Sequence, residues 1–352
     1  MTAAPTRRQC LQAAGACILL TTGLGARARA VPRYHVRALP DLGGGTTRVH
    51  ALNDLGACTG MANRSGRDNQ GVTFISQGDR IKGLPWTGIS TVGCGINNDG
   101  WVVEHRNYKY SGPEFAAWVW VGDRRVPIVD ASGLMGRFAS GINRAGVATG
   151  TTLGGLFRFD AGTGDMEHLP EPVDLEYEAR AIADTGVVVG HALHGLGGAD
   201  LSFQALVWRP GAAHAELLTL PDTHSHAAEG VNVHGTLCGW YTRGENLPKR
   251  AFTWRDGVLI DLGDRLGVTG SRPFCINADG WIAGEVYPQV SRSRRQFAAL
   301  WVGDEAFMLN DLLHPGSAGW DLRTAVAVNA RGQIVGEGVV GNHRRAYIAT
   351  PA

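Results

Sequence analysis

The sequence predicts an all-β fold, a seven-bladed β-propeller of four-stranded blades. Three features predict it: a ten-residue phrase that returns seven times, the spacing of that phrase, and the character of the two chain ends. The phrase is a small residue, an aliphatic residue, Asn, two variable residues, Gly, three mostly apolar residues and a last position that is usually Gly. It occupies Ala51–Gly60, Gly95–Glu104, Gly141–Gly150, Ala181–Gly190, Gly230–Gly239, Cys275–Gly284 and Ala327–Gly336. Its anchors (Asn53, Asn97, Asn143, Ala183, Asn232, Asn277, Asn329) are 40 to 52 residues apart, a period that belongs to circular or stacked arrays.

Each repeat resolves into four short strands. The segment before the anchor alternates small with larger residues, as in Arg48-Val49-His50-Ala51-Leu52, the pattern of a half-buried strand. Asn-x-x-Gly is a tight turn, because the Asn side chain bonds its own backbone and Gly accepts a positive φ. The apolar triplets that follow (Trp101-Val102-Val103, Val187-Val188-Val189, Trp281-Ile282-Ala283) suit a strand buried on both faces. A third strand ends in an aromatic and a Gly turn, at Ala205–Gly211, Ala251–Gly257 and Ala299–Gly303. The fourth is expected at Val126–Asp130, Leu217–Leu220, Val258–Leu262 and Met308–Leu312.

The ends favour a ring over a linear stack. Val36–Gly43 reads as a fourth strand without its first three, and Arg345–Ala349 as a third strand without its fourth. Paired, they complete the seventh sheet and remove exposed edges. A solenoid would need polar capping repeats, and none is present.

The first 30 residues read as a twin-arginine signal peptide. Thr6-Arg7-Arg8-Gln9-Cys10-Leu11 carries the arginine pair, a weakly apolar stretch runs from Ala13 to Leu24, and Ala28-Arg29-Ala30 is a small-x-small cleavage site. The expected mature chain, 31–352, is a single propeller domain, periplasmic or secreted. Loss of four arginines takes the formal charge from +1 to −3, and a near-neutral body of this kind gives no reason to expect nucleic acid as a partner. No later apolar run is long enough to span a bilayer. The protein is expected to act as a monomer.

Two stretches carry a resemblance to a known family. Ala251–Gly263, Ala-Phe-x-Trp-Arg-Asp-Gly-x-x-x-Asp-Leu-Gly, and Asp41–Gly56, Asp-Leu-Gly-Gly leading into Ala-x-Asn-x-x-Gly, resemble the HAF family of extracellular repeats. The likeness extends over nearly all of the mature chain. It implies an extracellular repeat protein and no particular chemistry, since the motif residues are structural. The Gly-His and Trp-Asp pair of WD40 repeats is absent.

Topology separates a face of short turns from a face of variable loops, and binding residues concentrate on the latter. The loop-bearing face is expected to carry Met61–Gln70, His105–Glu114, His191–Ser202, Trp240–Lys249, Glu285–Arg295 and Glu337–Arg344. First strands should lie nearest the axis. Positions three and five before the anchors therefore gather Arg48, His50, Glu178, Arg180, Glu229 and Arg272 at the mouth of the hub. His105, His191, Tyr241, Glu285 and Glu337, just past the second strands, are expected to ring the same mouth. Charges so close to a core are costly to bury unpaired. They form either interblade ion pairs, such as Arg180 with Glu229, or a polar funnel whose arginines grip carboxylate or sulfate while His50 or Tyr241 handles protons. The basic and aromatic run His105–Tyr110, the knot Arg292-Ser293-Arg294-Arg295, and Arg243, Lys249, Arg344 and Arg345 add positive charge to that face.

No metal or cofactor is expected. The middle blades are rich in histidine (His191, His194, His214, His224, His226, His234), but no HExxH, Cys-pair zinc or haem pattern occurs. Asn-x-Asp-Gly at Asn97 and Asn277 lacks the alternating acids and closing Glu of a calcium loop and reads as a turn. Cys58, Cys94, Cys238 and Cys275 lie on facing strands in two pairs. Strand parity allows at most one disulfide, and four buried thiols are the simpler expectation.

The leading reading is an exported propeller that binds an extracellular or envelope ligand, such as an anionic polysaccharide, through its loop-bearing face. One alternative is a polysaccharide lyase or hydrolase in the hub, with His50 or Tyr241 as base and Arg180 or Arg272 neutralising the uronate. The other is a non-catalytic protein-interaction scaffold.

Overall fold

The computed structural model describes residues 31–66, 70–85, 88–106, 116–171, 175–195, 201–263, 265–288 and 295–352. The expected signal peptide, Arg292 to Arg294 and Asn107 to Tyr110 lie outside them. The described chain forms seven four-stranded antiparallel sheets. In the first, Gly43–Leu52, Cys58–Arg64, Gly71–Gln77 and Arg80–Gly83 follow one another from the axis outward. The inner strands of blades two to six are Thr91–Ile96, Phe138–Ile142, Glu176–Ile182, Ser225–Val231 and Val268–Ile276.

The seventh blade takes Trp320–Val328, Ile334–Val340 and His343–Pro351 from the end of the chain and Tyr34–Ala38 from its beginning. Val36 pairs with Ala349 and Ala38 with Tyr347, as the incomplete repeats at the two ends predict. This pairing closes the ring.

Apolar side chains pack between neighbouring sheets. Ala183, Val189 and Ala205 of the fourth blade meet Ala228, Leu237 and Phe252 of the fifth, and Phe74 of the first blade shares a cluster with Val335 and Ile348 of the seventh. Each blade buries its two faces against two neighbours, so no sheet is stable without them.

The repeated turns are uniform. In every repeat the Gly amide donates to the anchor carbonyl at 2.9–3.1 Å, and that Gly has φ between +74° and +85°, where a side chain would be strained. The anchor asparagines do more than make turns. Asn53 Oδ1 accepts from the amides of Leu55 and Ala57, while its Nδ2 donates to the Asn97 carbonyl of the next blade at 2.8 Å. Asn143, Asn232, Asn277 and Asn329 repeat this link at 2.9–3.3 Å, the last reaching Asn53 across the closure of the ring, while Asn97 and Ala183 do not make it.

Some boundaries differ from expectation. The fourth strands of the second and sixth blades begin directly after the Gly turn, at Arg124–Pro127 and Glu305–Met308, that of the fourth blade is the two-residue Glu216–Leu217, and Leu309–Leu312 is a 3-10 helix rather than strand. In the second and sixth blades pairing with the third strand starts at the turn and ends where the chain leaves the outer edge. Glu337–Arg344 is no extended loop: Val340 and His343 are paired, and Gly341 and Asn342, both at positive φ, form a two-residue turn. The four cysteines are free thiols.

Candidate functional site

The inner strands deliver their side chains to the hub through a shared irregularity. In every blade one residue, three before the anchor, drops out of register between the first two strands: His50, Cys94, Ser140, Arg180, Glu229, Phe274 or Val326. A bulge bends the strand and re-aims the side chain beside it. All seven of these residues line a hub cavity of about 290 Å³. Below it, Leu52, Ile96, Ile142, Ile182, Val231, Ile276 and Val328, the residues just before the anchors, form an aliphatic waist.

The charged side chains converge at blades four to six. Glu229, 5% exposed, is the centre. It accepts from Arg180 Nε at 2.9 Å, Arg272 Nη2 at 2.7 Å and Trp240 Nε1 at 2.8 Å. Burial pushes Glu229 up, but the charges of Arg180 and Arg272 outweigh it and hold the carboxyl below its ordinary range. Arg180 also donates to Glu178 at 2.9 Å, and His191 Nε2 lies 3.3 Å from Glu178. Burial raises Glu178, yet the hydrogen bond from His191 and the Arg180 charge bring it down to about 2. The pairing of Arg180 with Glu229 expected across neighbouring blades is therefore present, as part of a larger network.

Lys249, on the loop after the second strand of the fifth blade, sits with Nζ 3.5 Å from the centroid of Trp240. Burial, then the neighbouring charge of Arg272, pushes its amine down to about 8. It makes no ion pair among the described residues. Phe203 stands between His191 and Trp240, with ring centroids 5.1 and 5.6 Å away. Glu285, buried and raised by burial, accepts from Tyr287 Oη at 2.6 Å.

Other expected residues are placed differently. His50 Nδ1 lies 3.2 Å from the Gly93 carbonyl and His105 Nδ1 3.1 Å from the Ala139 carbonyl, each on the next blade. Burial lowers both imidazoles, His105 to about 4, so they are neutral at physiological pH. Arg48 is exposed, and Glu337 is paired with Arg344 at 2.7 Å.

Tyr241 is a correction. It packs in the core between the fourth and fifth blades, and its hydroxyl donates to Asp261 at 2.8 Å. His105, His191, Glu285 and Glu337 are eight residues past their anchors, whereas Tyr241 is nine. A one-residue offset turns a strand side chain to the other face, so Trp240 is the residue at the mouth. Counting from Asn232 identifies Trp240 from sequence. The sequence puts Lys249 on the loop-bearing face but not against Trp240, and nothing in it identifies the positions of Phe203 and Tyr287.

Among the described residues no three His, Cys, Asp or Glu side chains are gathered as metal ligands. His226 instead accepts from the Ala205 amide at 3.1 Å, and burial lowers it to about 4. No described helix is long and apolar enough to cross a membrane.

No family model and no curated protein matches this sequence. Solved structures do. The β-propeller domain of the Trilobed protease from Pyrococcus furiosus is 12% identical over 90% of this chain and 93% of that chain, with a TM-score of 0.56. YCF48 bound to D1 peptide is 12% identical over 92% and 99%, with a TM-score of 0.54. A chain of the Mitotic Checkpoint Complex is 11% identical over 91% and 95%, with a TM-score of 0.52. At such identities the likeness is one of fold alone, and the fold is the seven-bladed β-propeller.

Proposed function

We infer that this protein is an exported propeller of the HAF type that binds an anionic ligand of the cell envelope or its surroundings, a uronate-bearing polysaccharide, at the hub mouth of blades four to six. One observation carries the reading. Lys249 is held against Trp240 beside Arg272, and none of the described carboxylates pairs with it. A partly buried cation that rests on an aromatic ring and has no paired carboxylate is free to grip an anionic ligand. Arg48 and Arg243, exposed at the same end and without ion pairs among the described residues, extend the positive surface along which a chain would lie. Phe203 and Trp240 supply apolar edges for the C–H faces of sugar rings. The arginine pair near residue 7 and the small-x-small site at Ala28–Ala30 support export and cleavage after Ala30.

The test is binding of the purified protein to polygalacturonate and to uncharged dextran. Polygalacturonate should bind, more weakly as salt rises, and Lys249→Ala should weaken it about tenfold. Equal affinity for dextran, or indifference to Lys249→Ala, would overturn the reading. The depressed amine of Lys249 favours a second version in which the site also cleaves its ligand, with Lys249 as base and Arg272 facing the uronate. Formation of unsaturated uronate ends separates cleavage from binding.

A further inference from the structure

The aliphatic waist divides the hub, and the end opposite the charged network holds a second cup of about 430 Å³, lined by the Asn-x-x-Gly turns of all seven blades. That volume lies within the roughly 300–1,000 Å³ of small-molecule sites. Its floor is the waist, and its rim is made by the residue after each anchor, Ala183 standing for asparagine in the fourth blade.

The rim has a donor surplus that follows from sequence. Where the residue after the anchor can accept, it takes the backbone N–H of the preceding blade. Asp54 accepts from Ala330 at 3.0 Å, Asn98 from Asp54 at 2.9 Å, and Asp184 from Arg144 at 2.9 Å. Arg144, Val233, Ala278 and Ala330 cannot accept. The amides of Asn98, Asp184, Val233 and Ala278 accordingly have no acceptor among the described residues. Deeper in the wall, Asn97, 4% exposed, has an Nδ2 without a hydrogen-bond partner, although its counterparts on five other blades each reach a neighbouring carbonyl. A buried donor left unmade is costly, and here it borders a cavity large enough to hold an acceptor.

Charge narrows the ligand. Asp54 and Asp184 each lie 3.6 Å from the single guanidinium of Arg144, so the rim carries one more acid than base and disfavours an anion. We propose that this cup binds a neutral, hydroxyl-rich ligand, the end of an uncharged saccharide chain. Its C–H groups rest on the aliphatic waist. Its oxygens accept from Asn97 Nδ2 and from the amides of Asp184, Val233 and Ala278, and its hydroxyls donate to the remaining lone pairs of Asp54 and Asp184. The site is independent of Lys249 and the charged mouth.

Calorimetric titration of the full chain with cellobiose, maltose, chitobiose and galacturonic acid tests it. At least one neutral disaccharide should saturate and, in the Lys249→Ala variant, bind more tightly than galacturonate. Ala278→Trp and Val233→Trp, both at exposed rim positions, should each weaken that binding roughly tenfold, with thermal midpoints recorded to show that the variants fold. Lys249→Ala should leave it unchanged. No binding by any of the three neutral sugars, a preference for galacturonate that persists in Lys249→Ala, or binding that survives both tryptophan variants would overturn the proposal.

Discussion

Arg180 of the fourth blade and Glu229 of the fifth meet at 2.9 Å across the one joint where the repeat has Ala183 in place of asparagine. Elsewhere the anchor is asparagine, and every one but Asn97 binds the neighbouring carbonyl. At this joint the amide is missing, and an ion pair three residues earlier on the same strand spans the gap. The network around Glu229 therefore holds the ring together as well as shaping its mouth.

Arg180→Ala removes one of two guanidinium partners from a buried carboxylate. Arg272 stays, so the cost should be below that of a fully orphaned charge, about 2–3 kcal/mol. Urea unfolding of variant and parent measures it. An unchanged midpoint would mean that Arg180 serves a ligand and not the ring.

Ala183→Asn should supply the missing link to the Asn232 carbonyl, which accepts from the Gly235 amide and receives no side-chain amide among the described residues, and stabilise by about 1 kcal/mol. The converse change, Asn277→Ala, loses the bond to Asn329 and the acceptor for the Trp281 amide. It should cost about 2–3 kcal/mol. Thermal midpoints of the two variants should move in opposite directions.

Acid should destabilise the protein well above the carboxylate range. His105 and His226 are buried neutral, with folded values lowered from 6.5 to about 4. Between those values the unfolded state binds more protons, so stability falls as pH drops from 6.5 towards 4. Glu178, lowered from 4.5 to about 2, adds a further loss below pH 4.5 by the same sign. Denaturation at pH 7.5 and pH 5 should show a decline on the order of 1–3 kcal/mol per imidazole. The decline should flatten in a His105→Gln, His226→Gln double variant.

Uronate binding should weaken as pH rises through about 8, where Lys249 loses its proton and its attraction for a carboxylate. Titrations at pH 7 and pH 9.5 at fixed ionic strength test this, with Lys249→Arg expected to remove the dependence.

Tyr241→Phe should lower stability by about 1 kcal/mol, through the lost bonds to Asp261 and Arg250, and leave polygalacturonate binding intact. Trp240→Ala should impair binding, because it removes the ring under Lys249 and the donor to Glu229. Binding assays on the pair, one residue apart, report which face of the strand meets the ligand.

Architecture was legible in the sequence because it is repeated. Seven copies of one phrase at a near-constant period, with incomplete repeats at the two ends, determine the blade count, the turn positions and the pairing of Val36 with Ala349, since every blade solves the same local problem of turn and burial. The proximity of Arg180 to Glu229 was legible for the same reason, both being three before an anchor on adjacent blades. What only the tertiary structure decided lies where the repeat is broken or where loops fold back. The asparagine ring joins residues up to 276 positions apart through side-chain amides whose local role as turn formers conceals the second bond. Lys249 reaches Trp240 because a loop of no regular pattern turns over the mouth, and the unpaired donors of the second cup arise from what each blade fails to offer its neighbour. Local periodicity encodes strands and turns; the partners of buried polar groups are set by which blades the closed ring places side by side.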